Sequence, residues 1–483
     1  MEQALLLFVI LFPMLGGMLL PLCKKGRNIL FCVLLALEAG AVTLLILQDP
    51  ANMTLFSMTK TLTVALKMDG ISRLFMGLAA GGFLLAGIYA TKYMSHSGSP
   101  ERFYRFFLLS EGALMGMDLA GNLITMYLFF EMITLLSMPM VLHDRTPQAV
   151  RAALKYLFYS IAGAFLALCA IFFLSRYGDS LDFVPGGTLK NTQGQEGLLR
   201  VVIFFGVLGF GAKAGMYPLH GWLPDAHPAA PAPASAVLSG IIAKAGVLAI
   251  IRIVFFSVGA DFVRGTWVQT GWLSLTLLTV LMGSMMAYRE KHFKKRLAYS
   301  SISQISYILV GLFFLTPEGA FGGLLHLLFH GMIKICLFLV AGAFLFKTEK
   351  PLVTDYTAIG SAMPKTLWGF TLASLALIGI PPASGFVSKW YLAEGALTSG
   401  VPVFHWLAPV ILLISALLTA GYLLPITIRG FFPGKDAVLP EKNDEGGIAM
   451  WLPILLLAAL TVLAGIFAGS FTDWFRSLAA GLF

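Results

Sequence analysis

Long apolar runs, each of about 18 to 25 residues, recur from one end of the chain to the other with short polar connectors between them. A run of that length crosses a hydrocarbon core about 30 Å thick as a helix, so the pattern predicts an all-α polytopic membrane protein with about fourteen transmembrane helices. The predicted spans are 3–21, 28–48, 70–91, 106–120, 122–142, 152–175, 198–217, 232–257, 270–288, 298–315, 319–346, 366–397, 406–430 and 449–471. Polar connectors around 49–68, 176–197 and 431–447 read as solvated loops without chemistry.

Two of these spans break the apolar pattern. The seventh carries Lys213 within GFGAKAGMYPLHGWLP, and the twelfth carries Lys389 within LIGIPPASGFVSKWYL. A lysine amid glycine and proline predicts a broken helix in each. The seventh span is fourth in the block of spans 4–8, and the twelfth is fourth in the block of spans 9–13. Successive five-helix blocks have opposite orientation, so the matching breaks predict two inverted five-helix repeats with transport sites at the breaks. Two proline-kinked structural helices are the plainer alternative. The expected division is 1–105 for spans 1–3, 106–257 for the first repeat, 258–430 for the second, and 431–483 for a loop and the last span.

Composition agrees with a lipid solvent: 58% of the 483 residues are hydrophobic and 12% charged, with mean hydropathy +0.85, where a soluble domain carries about a quarter charged residues. The net charge of +9 is spread over many loops, which argues against a nucleic-acid partner and for encoded topology. Counted from an outside N-terminus, the cytoplasmic loops hold most of the Lys and Arg. The densest cluster, Arg289, Lys291, Lys294, Lys295 and Arg296, precedes the tenth span. Both termini are therefore expected outside, in a cell (inner) membrane. Glu2 stands where a signal peptide would be basic, and Lys24, Lys25 and Arg27 follow the first apolar run, so that run reads as a retained span. Cys23, Cys32, Cys169 and Cys336 show no metal-ligand spacing, and neither a cofactor nor a metal is expected.

Charged groups inside the spans carry the chemistry, because each costs at least about 2.5 kcal/mol at the bilayer centre unless it lines a cavity or meets a partner. Glu131 sits mid-way along GNLITMYLFFEMITLLSMPMV with no cation on its own helix. Lys213 is its first candidate partner and Lys244, mid-way along SAVLSGIIAKAGVLAIIRIV, the second. A structural ion pair is the alternative. In GGLLHLLFHGMIKICLFLV, His326, His330 and Lys334 recur every four residues, placing them on one face as a polar track about 12 Å long. Histidine titrates nearest neutral pH, so such a track passes protons; a hydrogen-bonded helix contact is the bland reading. The histidine pair lacks a third metal ligand, and Lys334 would repel an ion. The tenth span adds Ser300, Ser301, Ser303, Gln304, Ser306 and Tyr307, whose polar groups suit water or helix packing. Lys155 reads as snorkelling to the headgroups, and His220, Asp225 and His227 as loop stabilisers or a proton entry.

At AKAGMYPLHGWLPDAHPAAPAPASAVLSGIIAKAG, KKRLAYSSISQISYILVG, HLLFHGMIKICLFLVAGA and GIPPASGFVSKWYL, the chain resembles the antiporter-like subunits shared by respiratory complex I, Mrp-type sodium/proton antiporters and energy-converting membrane hydrogenases. The resemblance covers most of the chain. It implies an input pair of Glu131 and Lys213, a link at Lys244, and an output half built from His330, Lys334 and Lys389. The first repeat is then the input half-channel and the second the output half-channel. It also implies other membrane subunits as partners, protons as the transported ion with sodium in the antiporter branch, and no redox centre in this subunit. Lys389 stands where one complex I subunit has glutamate, and the sequence stops after the fourteenth span without a long lateral helix, which favours a D-type Mrp subunit or a hydrogenase relative. A complex I-type subunit is the nearest alternative, and a secondary transporter of a small organic solute the more remote one.

Overall fold

The computed structural model describes residues 2–59, 62–190, 192–434 and 445–483. The described residues are mostly helical. In chain order the long helices are α1 (Glu2–Leu19), α2 (Arg27–Ile46), α3 (Gly70–Tyr93), α4 (Pro100–Asp118), α5 (Leu123–Val141), α6 (Pro147–Tyr177) and α7 (Glu196–Ala214). Next come α8 (Ala232–Val258), α9 (Trp267–Arg289), α10 (Phe293–Phe313) and α11 (Pro317–Thr348). α12 is two pieces, α12a (Pro364–Ile378) and α12b (Ser384–Thr398), followed by α13 (Phe404–Phe431), α14 (Ile448–Ile466) and α15 (Gly469–Ala480).

Eleven helices among the described residues are long and apolar enough to cross a membrane. The expected fourteen spans include three elements that fall short of this: α4, α10 and the divided α12. α4 and α10 both begin with charged residues, while α12 is split. Large apolar side chains such as Phe158, Leu417 and Leu22 point outward, at 70%, 75% and 78% exposure, as a lipid-facing surface requires. The interior is the reverse: α8 and α11 are buried along nearly their whole length and carry the lysines and histidines.

The two breaks are built alike. After α7, Gly215 takes a left-handed φ of 80°; after α12a, Gly379 takes 94°. Each glycine opens the same spacing, Gly-x-x-Pro-x-x-Gly, as Gly215, Pro218 and Gly221 and as Gly379, Pro382 and Gly385. The Tyr217–Pro218 and Pro381–Pro382 peptides are both cis. The freed backbone groups find partners: the Trp222 indole donates to the Ala212 carbonyl at 2.9 Å, and the Tyr217 amide to Thr279 Oγ1 at 3.1 Å. A short helix, Leu223–Ala229, continues the seventh span.

Three local features depart from the sequence reading. The 49–68 connector folds into an antiparallel hairpin, β1 (Asn52–Ser57) with β2 (Thr63–Lys67), because alternating polar and apolar residues there have period two. The 176–197 connector bonds back to the end of α8, with the Val184 amide on the Phe256 carbonyl and the Thr188 amide on Ser257. The last span ends at Ile466, and α15 follows as a separate amphipathic helix. Most of the 431–447 connector lies outside the described residues.

α8 is not a plain α-helix either. Leu238–Ile242 and Arg252–Val258 are π-helical, on both sides of the α-helical Lys244–Ile251. Such bulges commonly mark functional positions in a helix.

Candidate functional site

The residues singled out in the sequence lie along the buried middle of the fold. Lys213, Lys244, His330 and Lys334 have no exposure and His326 has 1%, while Glu131 and Lys389 are partly buried.

On α7, Lys213 donates to Thr134 Oγ1 at 2.6 Å and lies over the Phe130 ring, 4.5 Å from its centroid. Thr134 follows Glu131 by three residues, so both belong to one face of α5. Lys213 and Glu131 act on each other electrostatically but form no ion pair within 4 Å, and Glu131 Oε1 is buried without a hydrogen-bond partner. The lysine is held one step aside from its expected partner.

α7 and α8 meet at Gly246, where a Cβ would fall 2.6 Å from the Ala214 amide nitrogen. That approach requires glycine, and it sets Lys244 beside the end of α7. Lys244 donates to the Ser239 carbonyl at 3.2 Å, within the first π segment. Ser239 Oγ in turn contacts Ser301 Oγ at 2.6 Å, joining α8 to α10.

The α11 track is intact as one face. His326 and His330 stack with rings 5.8 Å apart and 11° from parallel. His326 Nδ1 meets Ser388 Oγ at 2.9 Å and its ring stacks on Tyr307 at 5.3 Å. Lys334 donates to Ser300 Oγ at 2.7 Å and to the Leu297 carbonyl at 3.1 Å, and the Tyr422 hydroxyl donates to the same Ser300 at 2.8 Å. Both ring nitrogens of His330 are buried and unpartnered, as are both polar atoms of Gln304. His330 feels the charges of Lys244, Lys334 and Lys389 together.

Lys389 folds back across the α12 break and donates to the carbonyls of Leu377, at 2.6 Å, and Ile378, at 2.9 Å. These are C-terminal carbonyls of α12a, which lack intrahelical donors and form the negative end of its dipole. Counted from the shared break spacing, Lys389 occupies the position of Asp225 rather than that of Lys213. The two lysines thus flank their breaks from opposite sides.

Other basic residues have roles different from those expected. Lys155 pairs with Asp225 at 2.6 Å instead of reaching to lipid headgroups. Lys294 is buried and donates to the Ala230 carbonyl, and Arg296 donates to the Tyr422 carbonyl within α13 at 2.7 Å, so part of the basic cluster points inward onto backbone carbonyls. His227 is fully buried and stacks on Phe338 with both nitrogens unpartnered.

Several buried charges are absent from the sequence reading. Arg252, in the second π segment, pairs with Asp69 through bonds of 2.6 and 3.0 Å and sits against the rings of Phe183 and Phe256. Asp118, Glu38 and Glu111 are buried with every carboxylate oxygen unpartnered. The signal for them is present, since Glu38 and Glu111 stand inside predicted spans, but neither lies beside a glycine-proline break.

The chain matches the family described as NADH:quinone oxidoreductase/Mrp antiporter, TM, over residues 120–419. It is 32% identical to NADH-quinone oxidoreductase subunit N of Desulforudis audaxviator, over 91% of this chain and 90% of that one. Against the D subunit of the Na(+)/H(+) antiporter of Bacillus subtilis it is 27% identical, over 96% and 93%. Hydrogenase-4 component B of Escherichia coli is 31% identical over 84% of this chain but only 62% of its own length. Among solved structures, the fold matches a chain of the Mrp complex from Dietzia sp. with TM-score 0.85 at 22% identity, covering 100% of this chain and 97% of that one. It also matches a chain of respiratory complex I from Thermus thermophilus with TM-score 0.82 at 25% identity, covering 99% and 98%.

Proposed function

Because the chain belongs to the NADH:quinone oxidoreductase/Mrp antiporter transmembrane family, we propose that it is the proton-conducting membrane subunit of a multisubunit ion-translocating complex. Protons pass along Glu131, Lys213, Lys244, His330, His326, Lys334 and Lys389, driven by redox chemistry or by cation exchange in neighbouring subunits. One observation carries the reading. The interior of this fold holds a succession of lysines, histidines and hydroxyls where a purely structural bundle would hold apolar side chains.

The parts divide the work by their geometry. Lys213, bonded to neutral Thr134, stands within Coulomb reach of Glu131, so a small shift of either helix changes the charge felt by the lysine. Closer approach favours the ammonium form; separation releases its proton toward Lys244. Ser239 and Ser301 join that lysine's helix to α10, and His330 stands between the central and terminal lysines. Lys389, on the α12a carbonyls, is the terminal store. The repeated break spacing supports the division into 106–257 as the input half and 258–430 as the output half. The basic loops favour a cytoplasmic α9–α10 connection with both termini on the other face.

Lys213→Ala in the assembled complex, reconstituted into proteoliposomes, tests the reading: proton uptake should vanish while the complex stays intact, and wild-type uptake would overturn it. A complex I-type parent is the second reading. At similar coverage, the subunit N relative's 32% identity against 27% for the antiporter D subunit favours it over the Mrp or hydrogenase assignment that Lys389 suggests.

A further inference from the structure

The series from α5 to α12 leaves a pair of buried carboxyls unused. Glu38 on α2 and Glu111 on α4 both have no exposure, and none of their four oxygens has a hydrogen-bond partner. The two helices run in the same direction, since Arg27 at the start of α2 pairs with Glu101 at the start of α4 at 3.0 Å. One step inward, the rings of Phe31 and Tyr104 stack with centroids 4.2 Å apart. Seven residues beyond each ring come Glu38 and Glu111, two turns or about 10 Å deeper on the same two faces. The seam therefore brings the carboxyls toward each other, and the charge acting on Glu111 is that of Glu38. α1 and α3 seal it: a Cβ on Gly112 would meet the Ile10 carbonyl at 2.5 Å, and one on Gly87 would meet Leu35.

Two ionised carboxylates in such a place have no hydrogen-bond donor to offset their desolvation and their mutual repulsion. A proton held between like acids removes most of both costs, as in paired catalytic aspartates. Among the described residues no third His, Cys, Asp or Glu joins the two carboxyls, so the site suits a proton rather than a metal cation. We propose that Glu38 and Glu111 share a proton, forming a buried carboxyl pair that stores charge in the N-terminal helices, outside the Glu131 to Lys389 series. α4 packs on α5 and on Lys244–Ile251 of α8, so the pair's charge lies one helix away from that series.

Infrared spectroscopy of the full chain in lipid nanodiscs at neutral pH tests this without reference to transport. The wild type should show a protonated-carboxyl stretch that Glu38→Gln/Glu111→Gln loses. Each single glutamine variant should keep a protonated band at a shifted frequency, because the remaining acid stays buried. Glu111→Asp keeps the pair if glutamine impairs folding, and should also keep the band. A wild-type spectrum equal to that of the double variant in this region would show both acids ionised and overturn the pair. Sodium-dependent loss of the wild-type band would assign the oxygens to a cation and overturn it equally. The storage role rests on the proposed proton conduction. In proteoliposomes holding the native complex, each single glutamine variant should lower proton uptake severalfold; unchanged uptake in both would overturn storage while leaving the infrared result standing.

Discussion

Lys389 donates to the Leu377 carbonyl at 2.6 Å, closing the break in α12 with a bond between its two halves. The same ammonium lies 5.2 Å from the Tyr307 ring centroid. Lys389→Met removes both contacts and should block proton uptake in proteoliposomes. Arginine keeps the charge but hardly deprotonates, with a pKa above 12, so Lys389→Arg separates a proton carrier from a fixed cation. A carrier fails with arginine. Lys389→Glu should retain partial uptake, because a buried glutamic acid can donate to one of the same carbonyls. Wild-type rates with arginine and none with glutamate would make Lys389 an anchor.

Thr134 holds Lys213 away from Glu131. Thr134→Val deletes the acceptor and leaves the lysine to pair with the carboxylate. A hydrogen bond to a charged group contributes about 1.5 to 3 kcal/mol, so initial uptake rates should fall roughly tenfold or more. The complex should still purify intact. Unchanged rates would mean that this hydroxyl does not set the position of Lys213.

Lys291 is exposed between α9 and α10, beside residues of the basic cluster that turn inward. A cysteine at this position should react only with thiol reagents that reach the cytoplasm. Labelling by impermeant reagents added to intact cells would reverse the assigned topology.

Asp69 caps the start of α3, accepting from the Ser72 amide at 2.9 Å, and pairs with Arg252. Burial alone would raise its pKa, but the Arg252 charge and hydrogen bonds, with those of Ser72, hold it down at about 2. A depressed carboxyl stabilises the fold at pH values above the unfolded pKa near 3.9, and that contribution is lost as pH falls toward 2. Asp69→Asn should therefore lower the unfolding temperature at pH 7 by an amount matching about 2 kcal/mol, and the difference from wild type should shrink below pH 4. A constant difference across that range would show that charge is not the cause.

The sequence made the broken helices legible because glycine and proline leave few backbone options, and the α11 track legible because a four-residue repeat fixes a helical face. It did not reveal what each charge touches. Lys155 finds Asp225, and Lys213 finds Thr134, through packing between distant segments. The hairpin after α2 is hidden in the sequence because its strands are short and flanked by stronger helical signals. The basic cluster before α10 speaks through its count alone, and two of its members turn inward onto backbone carbonyls. Glu38 and Glu111 stand inside predicted spans as Glu131 does, and that they face each other instead of a lysine is a matter of packing between α2 and α4.

The π segments of α8 give that helix a phase as well as a position. Each widened turn takes in an additional residue, so side chains after Leu238–Ile242 are rotated from where continuous α geometry would aim them. Lys244 stands two residues past that segment, and Arg252 opens the second. The compass bearing of the central lysine is thus a property of the turn before it, adjustable without moving the helix axis. In continuous α winding at Leu238–Ile242, Lys244 would take a different bearing about the axis.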